Sequence, residues 1–341
     1  MPSSIGLRAL AGGMSALAGG CSALPSALSP EGPAAEHIER LFWLFTIVSA
    51  AVWLLVIIGL AAALLRHRSQ EELAAFLALP NRGRDAIAAR IIGGSVAVTA
   101  AVLVVLTAQS YFTGKSLADL AGRDPLTIEV TGWQWWWEVR YENAGPSRML
   151  ITANEIHLPA GAPVLLKLAS GDVIHSFWVP KLAGKEDLIP GRENYLRLVA
   201  RTPGIYRGQC AEFCGLQHAH MGLRVIVDRP EDFDAWYDRE LRSAREPASD
   251  AARLGRDVFL SHTCVTCHTV RGTDAQGKTG PDLTHIASRV SLAAETLPNT
   301  PGGLGGWLAD PQRIKPGAKM PSTDLSPAEL NAIIAYIEAL Q

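Results

Sequence analysis

Two stretches of this chain, Leu41 to Leu65 and Ile91 to Ser110, contain no charged side chain. Each supplies roughly the ~20 apolar residues that a helix needs to cross the hydrocarbon core of a bilayer. A soluble helix of that length would still carry a polar face. The spacing therefore predicts a transmembrane hairpin, with spans at 41–65 and 91–110 joined by a loop at 66–90. That loop holds Arg66, Arg68, Arg82, Arg84 and Arg90. A basic excess in a short loop keeps it in the cytoplasm. The N-terminus and everything after Ser110 then lie outside.

The first twenty residues read as an export signal, with Arg8 the only charge ahead of an Ala- and Gly-rich stretch. Leu17-Ala18-Gly19-Gly20-Cys21 resembles a lipoprotein cleavage site, which makes Cys21 a candidate lipidation point. The formal net charge of -2 suggests no nucleic-acid partner. At 341 residues the chain has room for two or three domains.

Chemistry concentrates in Cys210-Ala-Glu212-Phe-Cys214-Gly-Leu-Gln-His218-Ala-His220-Met221. Thiols, imidazoles and a thioether favour copper, zinc or iron over magnesium or calcium, and the thioether shifts the choice toward copper. Two cysteines four apart can share a pair of metal ions. A further imidazole must come from elsewhere, and His175 supplies it from the apolar stretch Val173-Ile174-His175-Ser176-Phe177-Trp178. A bare C-x-x-x-C would equally fit a zinc site or a disulfide.

The full tract is similar to the binuclear copper (CuA) loop of subunit II of haem-copper cytochrome c oxidases, C-x-E-x-C-x-x-x-H-x-x-M with an upstream histidine. The likeness runs from the first apolar span to about Val227. It implies that Cys210 and Cys214 bridge two coppers and that His175 and His218 are terminal ligands. Met221 is then a weak thioether ligand, and Glu212 gives its backbone carbonyl. The resemblance also puts the Glu212 side chain on a magnesium shared with subunit I. His220 fills no ligand position in the family.

Cys264-Val-Thr-Cys267-His268 is C-x-x-C-H, the attachment sequence of a c-type haem. The two thiols add to the haem vinyl groups and His268 becomes an axial ligand. Met320 is the only methionine after Met221 and is the candidate second axial ligand. A Met/His pair raises the potential of the haem. Gly280-Pro281-Asp282-Leu283 resembles the loop lying against the haem in class I cytochromes c. A zinc or redox C-x-x-C is the alternative, but no second pair completes a zinc ribbon.

Residues 125–229 read as short strands cut by turns at Asn154, Pro159-Ala160-Gly161, Pro190-Gly191 and Pro203-Gly204. That pattern predicts a β-sandwich or barrel, and the resemblance implies an all-β cupredoxin Greek-key barrel with the metal loop between its last two strands. Gly132-Trp-Gln-Trp-Trp-Trp137 is an aromatic cluster suited to a membrane interface or a core. By resemblance, Trp135 is the point where electrons enter. Residues 230–249 read as a helix and linker. Residues 250–341 read as an all-α class I cytochrome c domain whose last helix starts at Ser326-Pro327.

The resemblance as a whole implies subunit II of a caa3-type cytochrome c oxidase, an oxidoreductase and translocase subunit in the bacterial inner membrane. Its metal and haem domains would face the periplasm. Electrons would pass from an external cytochrome c or an upstream bc complex to the haem, to CuA, and to haem a of subunit I, with subunit III also present. Oxygen would be reduced to water in subunit I, coupled to proton translocation. A nitrous-oxide reductase would need a catalytic propeller, a quinol oxidase subunit would lack the copper ligands, and a copper carrier would not need the haem sequence.

Overall fold

The computed structural model describes residues 25–66, 82–119, 125–142 and 148–341. The export signal, Cys21 and Arg68 lie outside the described residues. The chain divides into two compact units, Glu36–Asp119 and the remainder.

The first unit holds the helices α1 (Pro33–Leu65) and α2 (Arg82–Ala118). Both are long and apolar enough to cross a membrane. Side chains such as Leu55, Ile58, Val98 and Val104 are exposed along them instead of filling a core, which is the arrangement lipid requires. Both helices outrun their apolar runs. The second begins at Arg82, inside the segment read as loop. Polar ends extend them into water: Glu36 and Asp85 sit in the first turns, where acids suit the helix dipole, and Lys115 sits in the last.

The second unit begins with ten strands in two mixed sheets. Strands β1 (Leu126–Trp133), β2 (Trp136–Tyr141), β3 (Leu150–Ala153), β5 (Pro163–Ser170) and β8 (Asn194–Val199) form one sheet, in the order β3-β2-β1-β5-β8. The other comprises β4 (Glu155–Pro159), β6 (His175–Trp178), β7 (Glu186–Leu188), β9 (Gly204–Cys210) and β10 (Gly222–Asp228), in the order β4-β10-β9-β6-β7. β1 runs parallel to β5, and β10 parallel to β4. Burial alternates residue by residue along β1, β2 and β10, because successive side chains face opposite sides of a strand. Ile128, Val130, Trp137, Val139, Leu166, Phe177 and Leu223 form the fully buried layer.

Helix α3 (Pro230–Glu240) closes the barrel, stacking Trp236 on His157 at 3.9 Å and packing Phe233 and Tyr237 against Tyr141. It ends at Glu240, within the 230–249 segment read as a helix and linker. The helical module follows, with α4 (Asp250–Ser261), the turn α5 (Cys264–Cys267), α6 (Pro301–Ala309), α7 (Pro311–Ile314) and α8 (Pro327–Ala339), and it adds to the expected all-α domain one short hairpin, β11 (Ser291–Leu292) and β12 (Leu297–Pro298). α4 and α8 cross tightly at Gly255, where an added Cβ would meet the Ala332 carbonyl at 1.9 Å. Val258, Phe259, Ile333, Tyr336 and Ile337 build the core around that crossing. Two apolar helices, a β-domain of two sheets and a helical module are the fold classes expected from the sequence.

The helical module is seated on the barrel. Glu295, almost fully buried, takes Arg224 Nε at 2.5 Å and Arg207 Nε at 2.9 Å. The Gly222 amide donates to Ala294 O, and the Val290 amide to the Glu155 carboxylate.

Candidate metal centre

Cys210 ends β9 and Met221 immediately precedes β10, so the donor-rich loop spans the last two strands of the barrel. The frame holds both of its ends. Cys210 N donates to Met221 O at 3.0 Å, and Ala211 N donates to Ser176 O at 2.9 Å. His175 opens β6, which pairs with β9, and is fully buried.

The sulfurs of Cys210 and Cys214 lie 3.8 Å apart, both buried and unbridged. His175 Nδ1 is 3.9 Å from Cys210 Sγ, His218 Nδ1 is 3.6 Å from Cys214 Sγ, and Met221 Sδ is 3.8 Å from Cys214 Sγ. The Glu212 carbonyl is 3.3 Å from Cys210 Sγ. All six sequence-predicted donors therefore lie around the thiol pair, and the ligand atoms of His175, Cys210 and Cys214 are within 4.8 Å of one another, close enough to hold an ion. A buried pair of thiols with imidazole and thioether neighbours fits a soft metal. The Glu212 side chain points away, within 3.9 Å of Lys185 Nζ. His220 turns from the cluster and bonds Gln217 Oε1 at 2.8 Å.

Electrostatics ready the cluster for a cation. The hydrogen bond with Cys214 pulls the Cys210 thiol well below its ordinary value, with His175 assisting against burial. The second thiol of the pair is raised by the same bond, since two thiolates side by side repel until a metal neutralises them. His175 Nε2 is tied to Asp172 at 2.9 Å, which aims Nδ1 at the cysteines. Asp172 is half-buried, which raises its carboxyl, yet bonds from His175, Gln134 N and Val173 N hold it below the usual range.

Trp135 lies in the two-residue turn between β1 and β2 and is 8% exposed. Its indole N–H donates to the Cys214 carbonyl at 3.0 Å, and Gln134 Nε2 donates to the same oxygen at 2.8 Å. Trp137, by contrast, is a core residue, edge-on to Phe177.

In the helical module, Cys264 and Cys267 form one turn and His268 follows with its amide on Cys264 O. Both thiols are free and partly exposed. His268 Nδ1 is 2.8 Å from Pro281 O, which leaves Nε2 for a ligand. Burial keeps this imidazole below its ordinary pKa and hence neutral. An added Cβ at Gly280 would meet the His268 ring at 2.8 Å, so the Gly280-Pro281 backbone lies flat against it. A neutral imidazole braced at one nitrogen and flanked by two free thiols suits covalent haem. Met320 is partly buried against the same core as Cys264, and Gln312 Nε2 holds its carbonyl at 2.7 Å.

Asp172, Gln217 and Lys315 were not marked in the sequence. Gln217 and Lys315 act on backbone carbonyls of residues remote in the chain, and Asp172 acts on the His175 ring three positions on; none of these leaves a motif.

Residues 142–228 match the family described as cytochrome c oxidase subunit II, periplasmic domain, and residues 252–341 match the cytochrome c family. The cytochrome c oxidase subunit 2 of Alkalihalophilus pseudofirmus is 34% identical over 330 residues, covering 93% of this chain and 91% of that protein. The Bacillus subtilis cytochrome c oxidase subunit 2 is 33% identical, with 65% of each chain covered. The periplasmic domain of subunit II (CoxB) of Bradyrhizobium japonicum has a TM-score of 0.33 and 29% identity, covering 36% of this chain and 96% of that one.

Proposed function

Because this chain belongs to the cytochrome c oxidase subunit 2 family and carries a cytochrome c domain, we propose that it is the electron-input subunit of a caa3-type oxidase. In this reading an external cytochrome c or an upstream bc complex reduces a haem on the helical module. Electrons then pass to a copper pair in the barrel loop and on to haem a of subunit I. Oxygen reduction and proton translocation belong to the assembled complex, with subunits I and III, in the bacterial inner membrane.

The observation that carries the reading is the pair of free thiols 3.8 Å apart, ringed by His175, His218 and Met221, in a unit that also bears C-x-x-C-H. When bound, the copper pair and the haem supply one-electron carriers. Cys210, Cys214, His175 and His218 would hold the copper pair, with Met221 and the Glu212 carbonyl as weaker ligands. Cys264, Cys267, His268 and Met320 would hold the haem. Asp172 orients His175, and Pro281 orients His268. The loop's bonds to β6 and β10 restrain the ligands, so a change of charge moves them little. The outward Glu212 carboxylate is assigned to a magnesium shared with subunit I.

Electron paramagnetic resonance of the oxidised complex is the test. One unpaired electron split equally by two coppers is the expected signal. A mononuclear copper spectrum, or zinc in its place, would sink the reading. Haem that survives denaturing electrophoresis on this chain is the companion result for Cys264 and Cys267.

A further inference from the structure

The segment from Lys315 to Lys319 belongs to the helical module but lies on the barrel's aromatic turn. Lys315 is 3% exposed, and its Nζ donates to the Trp135 carbonyl at 2.7 Å and to the Ala293 carbonyl at 2.9 Å. The Pro316 carbonyl accepts from Gln217 Nε2 at 2.9 Å, next to His218. Gly317, at φ 84°, lays bare backbone on the Trp135 ring, where even a Cβ would come within 3.4 Å. Lys319 Nζ is 3.7 Å from Asp172 and 5.5 Å above the Trp133 ring. Gln312 ties the segment back to its own module through Gly317 N, Ala318 O and Met320 O.

Burying an amine against carbonyls, with no carboxylate to pair it, is costly. Among the described residues Lys315 has no carboxylate partner, and its donors go to one carbonyl on each module. The ring whose position it governs is the one bonded to the Cys214 carbonyl.

We infer that Lys315–Lys319 is an intramolecular docking strap, with Lys315 as its positioning residue, which seals Trp135 from outside donors and reserves it as the contact for the chain's own haem module. The inference rests on the electron route proposed above. One electron leaves the haem side and one arrives at the copper side. Trp135 is a path of bonds and contacts, with no bond made or broken in it. An outside donor must then dock on the haem module, because the barrel's aromatic face is occupied by the strap.

The test uses the complete oxidase, with wild type compared to Lys315→Met, which keeps the stem and removes both donors. Hydroxyl-radical footprinting should find Trp135 protected in wild type and oxidised several-fold faster in the variant. Flash-initiated haem-to-copper transfer should slow about tenfold in Lys315→Met, the scale of losing buried hydrogen bonds. Direct reduction of copper by a soluble monohaem cytochrome c should rise. Haem absorbance and copper resonance serve as the folding check. If that check fails, the wild-type footprint still decides: a freely oxidised Trp135 there overturns the strap. So does a variant whose footprint and transfer rate match wild type. Absence of haem-to-copper transfer in wild type would instead overturn the parent route, and the strap's assigned role with it.

Discussion

At the scale of single residues, the chemistry depends on side chains that touch no metal. Asp172 accepts from His175 and also from the Gln134 and Val173 amides. Asp172→Asn keeps the shape but weakens the acceptor that aims His175. Outer-shell partners of this kind are worth roughly 10–100-fold in metal affinity, so copper titration should show a drop of that order while the barrel still folds. Lys315 makes a prediction with a sign. Burial pushes it down to about 7, with only Cys214 pulling the other way. Between about 7 and the ordinary value of 10.5, the undocked chain holds a proton that the docked form has shed. Docking should therefore tighten as pH rises through that window and be weakest below about 7. Protection of Trp135 measured at either end checks this, and a flat profile would refute it. The six candidate donors were legible as residues because five of them sit within a dozen positions. Asp172 and Lys315 were not, because neither belongs to a recognised motif and Lys315 acts on a backbone oxygen far away in sequence.

At the scale of elements, local rules account for most boundaries. Ser326 caps α8 through a reciprocal bond with Glu329, the capping box that Ser-Pro-Ala-Glu spells out. The apolar spans announced α1 and α2, but their ends ran on, since nothing in water stops a helix of good formers before a breaker does. What no local rule disclosed was pairing. β1 lies beside β5 in parallel and β4 beside β10, and such neighbours are chosen by which apolar faces meet. The α4–α8 crossing is another example. Gly255→Ala drives a methyl group into the Ala332 carbonyl. It should destabilise the helical module by about 1–3 kcal/mol, the usual range for overpacking. Thermal melting followed at the haem band reads this, and an unchanged midpoint would show that the helices can part without loss.

At the scale of the whole molecule, barrel and helical module are joined by a few polar contacts around one seam. Glu295 collects Arg207 and Arg224 from β9 and β10, and Arg289 reaches Thr152. Glu295→Ala would leave two partly exposed arginines without their shared carboxylate. Because Arg207 is half in solvent, the loss should be about 1–2 kcal/mol of docking, not the full cost of a buried pair. Limited proteolysis of the linker at 241–249 should speed up accordingly, and an unaltered cleavage rate would show that the seam holds without the Glu295 pairs.

The sequence by itself determined the order of modules, the two membrane-length helices, the donor types of the metal loop and the C-x-x-C-H turn. Each of these is written over a short run of chain, where periodicity, capping and ligand spacing are local. Only the tertiary structure decided that His175 arrives beside Cys210, that Asp172 braces it, and that the Lys315 segment lies over Trp135. Those contacts join residues up to 180 positions apart. Their partners are selected by how sheets and helices pack, which no stretch of sequence records alone.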